Sequence, residues 1–161
     1  MTQRDVNVGL ISDTHGLLRP EALDALRGSD FIIHAGDIGH AGIIEQLSRL
    51  APLTAVRGNN DNGSWASQLR ETELLPVGEI LIYIVHDVAQ LTLDPRAAGF
   101  HAVVSGHSHC PEISERDGVL YVNPGSAGPR RFTLPVSVGQ LAISGLSIRP
   151  QLVTLRVQSA A

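Results

Sequence analysis

Cysteine occurs once in this chain, as Cys110. A single thiol excludes an internal disulfide framework and fits a reducing compartment. Long apolar runs are missing as well: nothing approaches the roughly 18 consecutive apolar residues of a spanning helix. The N-terminal "MTQRDVNVGL" lacks the basic region, long apolar stretch and small-residue cleavage site of a secretory signal. The expected location is therefore cytoplasmic, with no membrane involved. Basic charge is not in excess either: 12 basic against 16 acidic residues give a net charge of −4 at pH 7. That balance leaves no electrostatic footprint for duplex nucleic acid, which is not the expected partner. Internal repeats, low-complexity tracts and Gly/Ser-rich linkers are absent from the sequence too. With 161 residues, 43% of them hydrophobic, the chain reads as one globular domain over 1–161.

What is present is an alternation of short apolar runs with helix-like segments. "VNVGLIS" (6–12) reads as a buried strand and "RPEALDALRG" (19–28) as a short helix ending at Gly28. "FIIHAG" (31–36) is a second buried strand, followed by "AGIIEQLSRL" (41–50) with apolar residues at helical spacing. "LTAV" (53–56), "ILIYIV" (80–85) and "HAVVS" (101–105) are further short strands, and 63–72, with Trp65, reads as a loop near a cleft or subunit interface. In the last third, "EISERDGVLYV" (112–122) is a hairpin pattern turning at Asp117-Gly118. Segments 136–144 and 147–157 look like a second antiparallel pair, whose apolar residues are available to a homo-oligomer interface. Crossover units followed by meandering strands predict an α/β fold of two mixed β-sheets packed face to face.

Chemistry-bearing residues follow the apolar runs with regularity. The first strand leads to Asp13-Thr14-His15, the second to Asp37, and "LTAVRG" to Asn59-Asn60-Asp61. "ILIYIV" leads to His86, and "HAVVSG" to His107-Ser108-His109. Strand carboxyl ends are where open α/β sheets bind ligands. Five such ends can bring together Asp13, His15, Asp37, Asn59, His86, His107 and His109, all metal-binding types through oxygen or imidazole nitrogen. Side chains at i and i+2 of an extended segment share a side, with α-carbons about 6.5–7 Å apart. Paired hydrolytic ions sit about 3.5–4 Å apart, so two imidazoles of a His-x-His unit can flank such a pair. A central carboxylate such as Asp37 can bridge both ions with its two oxygens.

Taken together, "DTH", "GD", "GNND", "H" and "GHSH" resemble the calcineurin-like metallophosphoesterases, and "VNPGSAGPRR" (122–131) looks like their compact bacterial and archaeal phosphodiesterase branch. The resemblance spans residues 6–157 and implies a β-sandwich flanked by helices with metals at one edge. It further implies Asp13, His15, Asp37 and His109 on one ion, and Asp37, Asn59, His86 and His107 on the other. These nitrogen and oxygen donors suit two divalent ions, Mn first, with Fe, Zn or Ni as alternatives.

Two divalent cations against two carboxylates leave the ligand set positive, so it would draw a phosphate despite the acidic chain. The expected reaction is hydrolysis of a small phosphoester by a metal-bridging hydroxide attacking in line at phosphorus, with Asp37 at the centre. Many relatives carry a histidine after the metal-binding asparagine. Here that position is Asn60, read as a catalytic hydrogen-bond donor that cannot act as an acid near pH 7. The expectation is thus a phosphodiesterase favouring weakly basic leaving groups. The alternatives are a phosphomonoesterase or nucleotide phosphatase, or a protein-binding scaffold of the same fold, as in the retromer subunit.

Several residues keep two readings. His34 is a supporting group behind the site or a satisfied core histidine. His40 caps the helix at 41–50 or faces phosphate, and His101 is a strand-edge residue. Asp61 orients the Asn59 loop. Asp87, where relatives usually have glycine, alters substrate access or points to solvent. Arg130 and Arg131 contact phosphate or belong to a structural loop. Cys110 is read as a small, half-buried side chain.

Overall fold

The computed structural model describes residues 4–157. Ten strands form two five-stranded sheets. Strands β1 (Val6–Ile11), β2 (Phe31–His34) and β3 (Leu53–Ala55) run parallel and adjacent. The crossovers between them are α1 (Pro20–Leu26) and α2 (Ala41–Ser48). The second sheet starts with β4 (Thr72–Val77), β5 (Ile80–Val85) and β6 (Ala102–Val104), and adds β7 (Glu112–Arg116) and β8 (Val119–Asn123). The last pair, β9 (Ser137–Ser144) and β10 (Ser147–Thr154), returns to the first sheet, where β9 lies antiparallel to β1. Sheet orders are β10-β9-β1-β2-β3 and β4-β5-β6-β8-β7.

The two faces of each strand explain the layers. In β1, Val8 and Leu10 point toward the second sheet, where Ile80, Ile82 and Ile84 of β5 and Val104 of β6 meet them in one cluster. Each such aliphatic side chain stabilises the sandwich by about 1.5–3 kcal/mol on full burial. The opposite face of the first sheet offers Ile11, Ile32 and Val138 to Ala22 and Leu26 of α1 and to Ile43 and Leu47 of α2. Both helix pairs are spaced i, i+4, one turn apart on a single face. Pro20 opens α1 at a position with no amide to lose. His40 caps α2, its Nδ1 accepting from Gly42 N–H at 3.0 Å. The capping expected from the sequence is thus present.

Three details go beyond expectation. Helices α1 and α2 both pack on the first sheet; the outer face of the second carries Val85, Val103 and Val119 beside Tyr83, Val88 and Tyr121. Strand β4 lies in no element expected from the sequence: Glu73 and Pro76 interrupt "TELLPV". It is an edge strand, where a missing amide costs no ladder bond. Trp65 is half-buried and packs against the cluster between the helices and the first sheet.

The Asp117-Gly118 hairpin turn is present, with φ of +52° and +80° at its two residues. No described helix is long and apolar enough to cross a membrane.

Candidate metal centre

The carboxyl ends of β1, β2 and β3 in one sheet, and of β5 and β6 in the other, meet at one edge of the sandwich. There the backbone is unusual. Asp13, His15, Asp37, His107 and His109 have φ of +55°, +45°, +56°, +71° and +64°. Only a few per cent of non-glycine residues adopt this left-handed region, and such residues cluster at functional sites. His107 and His109 are therefore not on an extended segment, and the strand-spacing rationale for the His-x-His unit does not hold. Two left-handed residues around Ser108 turn the rings apart instead, and they still face two different neighbourhoods.

The first neighbourhood gathers Asp13, His15 and His109, three groups whose candidate ligand atoms lie within 4.8 Å of one another. His15 Nε2 and His109 Nε2 are 3.3 Å apart, and Asp13 Oδ1 is 3.5 Å from His109 Nε2. A second group joins Asp13, Asp37 and His86 by the same measure. Asp37 Oδ2 lies 3.3 Å from His86 Nε2 and 3.7 Å from His15 Nε2, so this one oxygen faces both neighbourhoods. Its partner Oδ1 accepts from Asn60 N–H at 2.9 Å. Asn59 and His107 stand at the outer side, Oδ1 to Nδ1 3.2 Å apart, and the His107 ring meets His86 edge-on at 5.2 Å.

Hydrogen bonds fix which atoms are free. Asp13 Oδ2 accepts from Ser12 Oγ–H at 2.8 Å and His107 N–H at 3.1 Å, leaving Oδ1 buried without a donor. His86 Nδ1 is 2.7 Å from the Ala35 carbonyl, an acceptor, so Nδ1 carries the proton and the neutral ring turns its Nε2 lone pair inward. Nε2 is likewise buried without a partner. Buried acceptors aimed at one another are costly unless a cation lies between them. The donor set therefore fits divalent metal, and the second nitrogen of His86 is held by the Ala35 carbonyl as a metal-ligand imidazole usually is.

Ionisation tells the same story. Burial pushes the Asp13 carboxyl above its usual range, against the Ser12 hydrogen bond and the nearby His86 and His109 rings. Burial acts upward on Asp37 too, but the His86 ring and Asn60 N–H outweigh it and hold Asp37 well below the usual carboxylate range. For His86, burial favours the neutral ring, and Asp37 and the Ala35 carbonyl reverse that, raising its pKa.

Close backbone approach makes the geometry possible. A Cβ at Gly58 would lie 2.1 Å from Asp37 Oδ1, and one at Gly106 would lie 2.0 Å from Ser12 Oγ. Asp61, 5% exposed, ties two loops together. Its Oδ1 accepts from Ile38 N–H (2.8 Å) and Gly39 N–H (3.1 Å), and Oδ2 from Gly58 N–H (2.9 Å).

The remaining sequence-read residues fall into place. His34 is a satisfied core histidine: Nδ1 accepts from Gly36 N–H, so Nε2 donates to Thr14 Oγ1, which donates onward to the Ile38 carbonyl. Burial, then the neighbouring His86, lowers its pKa to about 3. His101 Nδ1 accepts from Leu81 N–H beside the strand ends. The Asn60 amide donates to Asp37 Oδ2 at 3.1 Å, so it braces the carboxylate rather than lying open to a leaving group. Arg130 Nε donates to the Leu134 carbonyl, and the Arg131 charge acts on His109, helping to lower its pKa behind burial. Cys110 is exposed, not half-buried.

Sequence reading missed the bracing role of "VNPGSAG". Asn123 Nδ2 donates to the Gly106 carbonyl and Ser108 Oγ, and Ser126 Oγ donates to the Asp13 carbonyl. Its polar residues among glycines were the available signal.

A calcineurin-like phosphoesterase superfamily model matches residues 6–145. The chain belongs to that superfamily. A relative described as a probable metallophosphoesterase, from Methanothermobacter thermautotrophicus, is 37% identical over 157 residues, covering 91% of each chain. Among solved structures, an archaeal phosphodiesterase superposes with a TM-score of 0.75 at 23% identity, covering 92% of this chain and 100% of that one. Vps29 of Entamoeba histolytica, solved with zinc, gives 0.69 at 23% identity over 92% and 99% of the two chains. These two likenesses bear on fold alone. As a calcineurin-like phosphoesterase, the chain presents candidate divalent-metal ligands where its two sheets share an edge.

Proposed function

We propose that this protein is a phosphodiesterase acting on a small cytoplasmic phosphoester through two divalent ions, manganese first among Mn, Fe, Zn and Ni. When bound, the ions supply an activated water and stabilise the charged oxygens of an in-line displacement at phosphorus. Asp13, His15 and His109 would hold one position, Asn59, His86 and His107 the other, with Asp37 Oδ2 between them. The observation that carries this reading is the pair of buried, donor-free atoms Asp13 Oδ1 and His86 Nε2, 3.9 Å apart and in need of a cation.

Around that centre the chain orients ligands. Asn60 fixes both oxygens of Asp37, and the Ala35 carbonyl holds the His86 proton on Nδ1. Asn60 supplies no proton to a departing group. Esters with weakly basic leaving groups are thus favoured.

The test compares bis(p-nitrophenyl) phosphate, p-nitrophenyl phosphate and an alkyl monoester with manganese-loaded protein. The diester should turn over fastest, and Asp37→Asn should lower kcat/KM by orders of magnitude in a folded protein. Alkyl monoesters hydrolysed as fast as aryl diesters would refute the diester assignment. Stoichiometric metal without turnover on any phosphoester would favour the scaffold reading.

A further inference from the structure

A cavity of about 390 Å³ opens on the side of the centre formed by Asn59, His86 and His107. That lies within the roughly 300–1,000 Å³ of small-molecule sites. Because the cavity touches three of the four side chains proposed for the second ion, a phosphate held there would project an ester group into it. Away from the centre its wall includes Tyr83, Asp87, Gln90 and Thr92. The Tyr83 ring is stacked on Phe100 at 4.9 Å between centroids and 8° between planes, which gives a fixed surface. Thr92 and Gln90 add neutral hydrogen-bonding groups.

The charge of the wall is decided by two pairs. Arg57 is already engaged: its Nη2 donates to Glu71 at 3.0 Å and its Nη1 to the Leu69 carbonyl. Among the described residues, the basic group paired with Asp87 is an imidazole and no arginine. Asp87 Oδ1 accepts from Ala89 N–H at 3.0 Å, and Oδ2 lies 3.7 Å from His107 Nε2. Of the two carboxylates in the wall, Glu71 is paired with Arg57, and Asp87 is the one that no arginine neutralises.

The geometry points to this cavity as the subsite for the substrate's organic ester group, with Asp87 selecting groups that carry no negative charge and favouring a cationic nitrogen. The inference rests on the proposed metal-dependent phosphoesterase reading and names its substrate class: phosphodiesters of amino alcohols, ahead of polyols, and not esters bearing a second phosphate or a carboxylate.

Phosphonates of matched size test it without turnover, since their carbon–phosphorus bond is not an ester. Calorimetric titration of manganese-loaded full chain would use 2-aminoethylphosphonate, propylphosphonate and 3-phosphonopropionate. The aminoethyl compound should bind at least about tenfold more tightly than the carboxylate, as one close charge at intermediate dielectric gives. Asp87→Asn should shrink that ratio to about threefold, with metal content checked separately by elemental analysis. Gln90→Glu, at an exposed position, should widen it, and keeps the inference testable if Asp87→Asn does not fold. Equal affinities, or a ratio unchanged in both variants, would overturn the subsite while leaving the phosphoesterase reading intact. No phosphonate binding to metal-loaded protein would overturn both.

Discussion

Removing the Asp61 carboxylate should cost this protein a large part of its stability, although Asp61 touches no candidate metal position. The side chain is buried, and its two oxygens accept three backbone N–H bonds, from Ile38, Gly39 and Gly58. These join the loop that carries Asp37 to the loop that carries Asn59. Hydrogen bonds to a charged group contribute about 1.5–3 kcal/mol each, and they are not additive within one network. Asp61→Ala should therefore cost about 3–6 kcal/mol, against a total stability of about 5–15 kcal/mol for a domain. Asp61→Asn keeps the shape but sets an NH2 group against at least one backbone N–H in either flip state. It should fall between the parent and Asp61→Ala. Urea unfolding followed by circular dichroism, in chelator, measures this directly. The midpoint should drop in the order parent, Asn, Ala, with an unchanged slope. In the Asn variant, calorimetry should show weakened binding of the ion served by Asp37 and Asn59. An Asp61→Ala protein within about 1 kcal/mol of the parent would refute the claim that this carboxylate joins the two loops.

Three other outcomes are expected. His34 is neutral in the fold, its pKa lowered from 6.5 to about 3, so its contribution is complete above pH 6.5 and is lost as pH falls toward 3. The loss amounts to about 5 kcal/mol at most by linkage, and an acid limb of the same steepness in His34→Gln would contradict it. His86 is shifted the other way, so the contribution of its proton in metal-free protein is complete below 6.5 and is lost as pH rises through its raised pKa. Manganese loading near neutral pH should then release protons, seen as a dependence of calorimetric heat on buffer ionisation enthalpy; heats independent of buffer would contradict it. Ile82, fully buried between the sheets, should cost about 2–5 kcal/mol as Ile82→Ala in equilibrium unfolding, without changing metal stoichiometry; a neutral substitution there would contradict the assigned core.

Much of the fold was legible because its strands are short, β-branched runs bounded by turn residues. "ILIYIV", "FIIH" and the Asp117-Gly118 hairpin needed no tertiary information to be placed. Strand β4 escaped because an edge position tolerates Pro76 and exposed Leu74, which blur the alternation. The sheet to which β9 and β10 belong was invisible for another reason: pairing with β1 joins residues more than a hundred positions apart.

The site divides along the same line. Sequence by itself determined the donor types and their order, since each follows an apolar run that must be buried and so must end at the sheet's edge. Only the tertiary structure decided how each donor is turned. Asp37 faces His15 and His86 with Oδ2 while Asn60 holds both of its oxygens, and His86 presents Nε2 because the Ala35 carbonyl takes the Nδ1 proton. Hydrogen-bond partners from other loops of the same edge orient these atoms, and no local pattern records which partner will arrive.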